Sequence, residues 1–345
     1  MDKSKLYNAL SASEWERLIQ QEGCPRWTIS FYKFYKIGNP HLLRDFLFFG
    51  LQRIRVLGRI YVANEGINAQ LSIPTKEYEK LIKFVNQITF LRKVSMNFAI
   101  DHNGNSFYKL TVKVRKKIVA DGLLDNQLDL SNTGYYLSPQ EFNQFLQDPN
   151  SLCVDIRNHY ESEIGHFQSA IRPDVDTFRD SLPIIEKKLE PVKKEKQFLL
   201  YCTGGIRCEK ASAYLKGKGF EKVYQLEGGI INYIRQVKSK GLTNKFLGKN
   251  FVFDQRLRET GSEKVISRCH QCGMPCDQHT NCVNQACHLL FIQCQKCKNT
   301  YQNTCSDKCK RISQLPLSQQ KKLRKNIPAG HRIFKKGRSE HLRFT

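Results

Sequence analysis

The sequence predicts an α/β multidomain protein: an N-terminal α+β domain, a central α/β domain on a parallel sheet, and a C-terminal cysteine-rich metal-binding segment that runs into a basic tail. Three observations predict it. Between residues 27 and 119 the apolar patterning follows the order strand, helix, strand, strand, helix, strand. Between residues 138 and 247 short apolar runs alternate with helical stretches, the rhythm of a parallel sheet wrapped by helices. Between Cys269 and Cys309 there are nine cysteines, eight of them in close pairs.

Composition bounds the function. A chain of 345 residues is long enough for two or three domains with real cores. Lys and Arg number 56 against 32 Asp and Glu, a net charge of +24, which points to a polyanionic partner, nucleic acid first. The start, Met1-Asp2-Lys3-Ser4-Lys5, leads into a polar amphipathic segment that lacks the features of a signal peptide. No apolar run approaches the ~18 residues that span a bilayer. A soluble, cytoplasmic protein with no membrane partner is therefore expected. In that reducing compartment the thirteen cysteines serve as metal ligands or reactive thiols, not disulfides.

Residues 1–22 hold a helix over 8–21 that places Trp15, Leu18 and Ile19 on one side. Residues 23–120 form the first domain, with strands at 27–36, 58–64, 67–73 and 96–119 and helices at 40–55 and 75–88. An Asp101-His102-Asn103-Gly104 turn interrupts the last strand. That order is the split βαβ, ferredoxin-like (acylphosphatase-like) arrangement. In the last strand Tyr108, Leu110, Val112 and Val114 alternate with Lys109, Thr111, Lys113 and Arg115. The strand at 67–73 sets Ile67, Ala69, Leu71 and Ile73 against Asn68, Gln70 and Ser72. Period-two alternation puts the apolar sets in the core and the others on the sheet face that helices leave open. Such a face, carrying Lys109, Lys113, Arg115 and Asn68, suits a phosphate backbone, and an ordinary solvated face has the same pattern. No RNP1-like aromatic motif is present. Asn64-Glu65-Gly66-Ile67-Asn68 reads as a hairpin turn with Gly66 at positive φ. It also offers Asn64, Glu65 and Asn68 as substrate contacts at the edge of the basic face.

Residues 121–247 form the second domain. Its first part, to residue 137, is polar and reads as a linker. Ser138-Pro139-Gln140-Glu141 then announces a helix, with Ser as N-cap, Pro in the first turn and Glu three residues on. Strand-like runs follow at Leu152–Ile156, Phe198–Tyr201 and Val223–Leu226. Between the second run and the helical stretch Cys208-Glu209-Lys210-Ala211 lies Cys202-Thr203-Gly204-Gly205-Ile206-Arg207. In open parallel sheets ligands sit beyond the carboxyl ends of strands, where Cys202 falls. A thiol on a strand-to-helix turn faces the unpaired N–H groups and dipole of the helix, which favour an anion. Its pKa falls there from about 8.5 to roughly 3.5–7.5. Gly204 and Gly205 let the backbone curl round the sulfur. Arg207 adds a charge and a forked donor for an oxyanion or for the outer sulfur of a persulfide. Cys202 and Arg207 are the candidate catalytic residues.

Residues 248–312 carry the cysteine cluster: Cys269-x2-Cys272, Cys282-x4-Cys287, Cys294-x2-Cys297 and Cys305-x3-Cys309, with Cys276 extra. Four such pairs predict two tetrahedral Zn²⁺ sites. Interleaved pairing joins Cys269, Cys272, Cys294 and Cys297 at one site and Cys282, Cys287, Cys305 and Cys309 at the other; sequential pairing fits the spacing too. Cys276 is a possible substitute for one of them. An iron–sulfur cluster is the rival reading. His270, His279 and His288 are read as surface or supporting groups, not ligands. So little apolar sequence depends on metal to fold. The tail at 313–345, with Lys321-Lys322-Leu323-Arg324-Lys325, Arg332, Lys335, Lys336 and Arg338, reads as an RNA-contacting arm.

Several of these stretches resemble known sequences. Asp155-x-Arg157, Glu163-x-Gly165-His166-Phe167 with Ala170, the loop from Cys202 to Arg207, and Gly219-Phe220-x-x-Val223-x-x-Leu226-x-Gly228-Gly229 resemble the rhodanese signatures. Ser30-Phe31-Tyr32-Lys33, Asn64 through Gln70, Asn158-His159-Tyr160-Glu161, Tyr201 through Lys210, Gly248 through Asp254 and Cys269-His270-Gln271-Cys272-Gly273 resemble the bacterial TrhO (YceA-type) family of tRNA uridine hydroxylases. That family's common form of the turn has His where Asn64 stands. The resemblance implies oxygen-dependent conversion of the wobble uridine of tRNA to 5-hydroxyuridine, with molecular oxygen as co-substrate. It implies the anticodon stem-loop as partner and Cys202 as the rhodanese cysteine. Structural zinc is expected and no organic cofactor. A persulfide sulfurtransferase and a non-catalytic RNA-binding adaptor are the alternative readings.

Overall fold

A computed structural model describes residues 12–101, 106–124, 128–325, 339 and 342–344. Helix α1 (Ala12–Glu22) leads into the first domain: β1 (Arg26–Phe34), α2 (Pro40–Arg53), β2 (Leu57–Ala63), β3 (Gly66–Pro74), α3 (Tyr78–Gln87), β4 (Asn97–Phe98) and β5 (Leu110–Val114). The sheet order is β4-β1-β3-β2-β5. Leu47, Phe48 and Leu51 of α2 and Leu81 and Val85 of α3 pack on Ile60, Val62, Ile67, Leu71 and Ile73, so the alternation read from sequence sets the buried face. The β2–β3 turn needs Gly66: its φ is +146°, and a Cβ there would lie 2.1 Å from the Lys33 carbonyl oxygen.

The single strand expected at 96–119 is instead two strands on opposite edges. β4 pairs antiparallel with β1, which completes the ferredoxin-like set, and β5 crosses over to pair parallel with β2. Alternation reports which way side chains point, not which neighbour the backbone finds, so two edge strands read as one. The turn expected at 101–104 lies, past Asp101, outside the described residues.

The second domain runs β6 (Tyr135–Leu137), α4 (Pro139–Phe145), β7 (Ser151–Asp155), α5 (His159–Ile164), β8 (Gly165–Phe167), α6 (Phe178–Leu189), β9 (Gln197–Tyr201), α7 (Ile206–Gly217), β10 (Val223–Leu226) and α8 (Gly229–Lys240). Strands β6-β10-β9-β7 form a wholly parallel sheet, flanked by two apolar cores. The end of the expected linker is thus strand β6. The Ser138 capping box forms as read, with Ser138 Oγ accepting from Glu141 N–H at 3.3 Å and Glu141 Oε2 accepting from Ser138 N–H at 2.8 Å. Beneath the sheet, Arg157 is fully buried, paired with Asp155 at 2.7 Å and donating to the Gly165 carbonyl at 2.6 Å. Those first-signature residues hold the scaffold together.

The segment expected to begin the cysteine cluster starts as β11 (Phe246–Phe251), which pairs with β8 and β12 (Arg258–Thr260). Only afterwards come β13 (His279–Asn281), β14 (Leu290–Ile292), α9 (Gln295–Tyr301), α10 (Asp307–Gln314) and α11 (Leu317–Arg324). About half of the basic tail, including Arg332, Lys335, Lys336 and Arg338, lies outside the described residues. Its end returns to the cysteine cluster: Leu342 is buried among Cys282, Phe291 and Cys309, and Arg343 N–H donates to the His270 carbonyl at 2.9 Å. Among the described residues no helix is long and apolar enough to cross a membrane.

The sheet face expected to be open is faced by the second domain, which closes on it around Lys210 and leaves a cleft beside that contact. Lys210, in the first turns of α7, is fully buried and reaches across to Glu65 of the β2–β3 turn at 2.8 Å, to Asp121 at 2.6 Å and to the Val119 carbonyl at 3.1 Å. Burial raises the Asp121 carboxyl, but hydrogen bonds from Lys117 and Lys210 outweigh it and hold the group below the usual range. Lys210→Ala should destabilise the fold by about 3–5 kcal/mol, because it leaves Asp121 buried with half its countercharge gone. Chemical denaturation would measure this, and a loss below about 1 kcal/mol would show the pair to be dispensable.

Candidate active site and metal centres

Cys202 sits one residue past the carboxyl end of β9. Gly205, at φ +100°, turns the chain into α7 and aims its N–H at the Cys202 sulfur, 3.1 Å away. Gly229 lets α8 press on the same loop, since a Cβ there would lie 2.5 Å from the Cys202 carbonyl oxygen. Burial pushes the Cys202 thiol up. The hydrogen bond from the Cys208 thiol, the Arg207 charge and the N–H groups of Cys208 and Arg207 overcome that, and its pKa falls to about 6. Cys208 moves the opposite way, raised by burial and by donating to Cys202. It is thus a proton-bearing partner of the thiolate. The pH dependence follows in sign. Thiolate absorbance lost in Cys202→Ser should titrate near pH 6 in the native protein. Because the native pKa is depressed from 9.0, the stability this ionisation confers is complete above about pH 9 and is lost as pH falls through 6. A midpoint near 9 would show an ordinary thiol.

Arg207 does not present a free fork. Its two terminal nitrogens donate to Glu161 at 2.6 and 2.9 Å, and one also reaches Thr203 Oγ1 at 3.2 Å. What it offers the sulfur is fixed charge. The fork expected from sequence to grip an oxyanion is occupied by the Glu161 carboxylate, supplied from α5.

The loop meets the first domain's sheet. Tyr32 of β1 donates to Glu209 of α7 at 2.9 Å, and Tyr136 of β6 donates to the same carboxylate oxygen at 2.5 Å. A Cβ on Gly205 would stand 2.9 Å from the Tyr32 hydroxyl. Asn97 of β4 bridges to the Gly204 and Gly228 carbonyls at 3.5 and 3.4 Å. Between sheet and loop lies a cleft of about 1420 Å³. That exceeds the ~300–1,000 Å³ of a small-molecule pocket and suits a stretch of polymer. Cys202 belongs to its wall, although no part of the residue is exposed to bulk solvent.

The predicted contact residues divide. Asn64, Asn68, Arg115, Gly204, Cys202 and Arg207 line the cleft; Glu65, Gly205, Lys109 and Lys113 do not. Glu65 is taken up structurally, by Lys210 and by the Ile118 N–H at 2.7 Å. Asn64 donates to the Ile37 carbonyl and Asn68 to the Ile118 carbonyl. Lys113 is exposed on edge strand β5, and Lys109, just before that strand, is exposed as well. Sequence reasoning missed Tyr32, Tyr61, Asn97, Glu161 and Glu209. Tyr32 and Tyr61 do fall at polar-face positions of their strands, the one signal available. Arg115, Lys116 and Arg179 stand at the cleft without an ion pair among the described residues.

The cysteines form two groups, Cys269, Cys272, Cys294 and Cys297, and Cys282, Cys287, Cys305 and Cys309, with all sulfurs of a group within 4.8 Å of one another. This is the interleaved arrangement; sequential pairing is excluded. Sulfur separations of 3.6 Å for Cys272–Cys294 and Cys287–Cys305 and 3.7 Å for Cys305–Cys309 match one tetrahedral ion. Bonds of ~2.3 Å to zinc place thiolates about 3.8 Å apart. Cys276 belongs to neither group and packs near Phe253 and Leu257. Neither group takes in His270, which instead contacts Glu163 at 2.7 Å.

Comparison with known proteins covers most of the chain. The UPF0176 acylphosphatase-like domain matches residues 26–118, the rhodanese-like domain residues 138–236, and the rhodanese C-terminal segment residues 247–310. A protein of Escherichia fergusonii named tRNA uridine(34) hydroxylase is 47% identical over 334 residues, 96% of this chain and 95% of that one. Proteins of the same name from Pectobacterium carotovorum subsp. carotovorum and Yersinia pestis are 46% and 47% identical over 335 residues, each covering 96% of this chain and 94% of its own.

Proposed function

From the premise that this chain belongs to the tRNA uridine(34) hydroxylase family, we propose how its cleft carries out that reaction. The chain is an enzyme of tRNA modification that hydroxylates the wobble uridine. The anticodon loop enters the cleft between the two domains and places the uracil of residue 34 against the Cys202 loop. Single-stranded loops present such a base at small cost. The observation that carries this reading is a sulfur, set against the Gly205 N–H and the Arg207 charge that lower its pKa to about 6, in the wall of a polymer-sized, basic-rimmed cleft shared by both domains.

The thiolate of Cys202 adds to C6 of the uracil, and the electron pair moves through C5 toward O4. C5 becomes enolate-like and able to accept oxygen from dioxygen. Once C5 has lost its proton, that electron pair restores the C5=C6 double bond and expels the thiolate from C6. The net change is one oxygen atom in the C5–H bond. Reducing the second oxygen atom of dioxygen to water takes two electrons from an external reductant. Arg207 and the N–H groups at the start of α7 hold the sulfur as an anion between turnovers. Arg115, Lys109 and Lys113 meet backbone phosphates. The two Cys₄ groups hold structural zinc, which contributes to folding and not to the chemistry.

Incubation of the purified protein with unmodified tRNA, a thiol reductant and heavy-isotope dioxygen tests this. The nucleoside at position 34 should gain one labelled oxygen atom. Gain of sulfur instead would establish the sulfurtransferase reading, which the relatives' names do not favour, and an unchanged nucleoside would overturn the assignment.

A further inference from the structure

The cleft-facing side of the first sheet carries a row of residues of which the reaction as described uses only the lysine at one end. Strand register places Tyr32 opposite Asn68, Asn68 opposite Tyr61, and Tyr61 opposite Lys113. The row crosses four adjacent strands on one face. It begins at Tyr32, beside Gly205 and the thiol loop, and ends at a lysine on the open edge. Strands lie about 4.8 Å apart, so the two tyrosines stand roughly 10 Å from one another. Both line the cleft and both are only partly buried. Arg115, just past the end of β5, holds its guanidinium 5.4 Å from the centre of the Tyr61 ring. Arg115 and Lys116 have no acidic partner among the described residues, so their charge is available to an anion.

We propose that this row is a nucleotide-stacking platform. The target uracil lies against Tyr32 at the Cys202 loop. The base of an adjoining nucleotide stacks on Tyr61, capped by Arg115, and the phosphates between them run along Arg115, Lys116 and Lys113. The charge excess and the cleft's size fit a single-stranded polyanion. Two aromatic faces at that separation fit bases splayed out of a loop, since every base has a face to stack. This arrangement rests on the hydroxylase reading and adds to it the way neighbouring nucleotides are held.

Tyr61→Leu should raise KM for tRNA about tenfold while kcat stays within about twofold, and Tyr61→Phe should match the wild type. Arg115→Ala, at an exposed position where folding is not at risk, should reduce the salt dependence of binding by about one phosphate contact. Fluorescence anisotropy with two heptanucleotides, one all-uridine and one abasic beside a central uridine, separates stacking from charge. The wild type should prefer the base-bearing strand, and Tyr61→Leu should lose that preference. If Tyr61→Leu keeps both wild-type KM and the preference, the platform is overturned even where labelled product forms normally. If the wild type stacks the probe but makes no product, the hydroxylase reading fails and the platform stands.

Discussion

Cys202→Ser should abolish formation of 5-hydroxyuridine while leaving tRNA bound. A serine hydroxyl at this site is not ionised near neutrality, so it cannot add to C6. Loss of a nucleophile of this kind lowers turnover by at least about a thousandfold. The substitution is nearly isosteric, and the Gly205 N–H that reaches the sulfur at 3.1 Å still finds an acceptor. The loop, the Arg207–Glu161 pair and the cleft wall should therefore persist. Retained tRNA affinity together with product at the detection limit is the expected pair of results, read by mass analysis of tRNA nucleosides and by a binding isotherm. Undiminished product would remove Cys202 from the mechanism.

Stripping metal should collapse the C-terminal segment. The buried cluster there consists of Cys282, Leu289, Phe291, Cys305, Cys309 and Leu342, so half of the core is built from thiols of a single Cys₄ group. Without an ion those four sulfurs crowd one another with nothing to bind, and three apolar side chains do not hold a fold of forty residues. Structural zinc in small domains contributes on the order of 10–16 kcal/mol of apparent binding free energy at pH 7. The whole protein should contain two zinc ions. Treatment with a strong chelator should expose the segment to protease between α9 and α10. Cys297→Ser should weaken one site and Cys309→Ser the other. A metal-free protein with an unchanged melting profile would overturn this assignment.

Local pattern made much of this architecture legible. Alternation in Ile67, Ala69, Leu71 and Ile73 identified a buried sheet face, and the loop from Cys202 to Arg207 identified a strand-to-helix turn with a sulfur at its start. Cysteine spacing identified four ligand pairs. What it left open depended on partners far along the chain. Glu65 read as a substrate contact because its counter-ion, Lys210, lies 145 residues away. Arg207 read as a free fork because Glu161 is supplied by another helix. The basic face read as open because periodicity tells which side of a strand is polar, and another domain's loop decides what covers it. Ligand pairs were evident, whereas the choice of interleaved partners needed the β13–β14 hairpin and α9 to bring them together.

Lys210 has a wider consequence. It rises from the helix that begins at the thiol loop and ends among carboxylates belonging to the other half of the chain. Excised over residues 138–236, the rhodanese-like domain would carry an interior cation stripped of Glu65 and Asp121. It is thus not an interchangeable cassette. The thiol loop and the first sheet are held to each other by Lys210, by the Tyr32–Glu209 hydrogen bond and by Asn97, so a displacement of the sheet bears on the loop at three places.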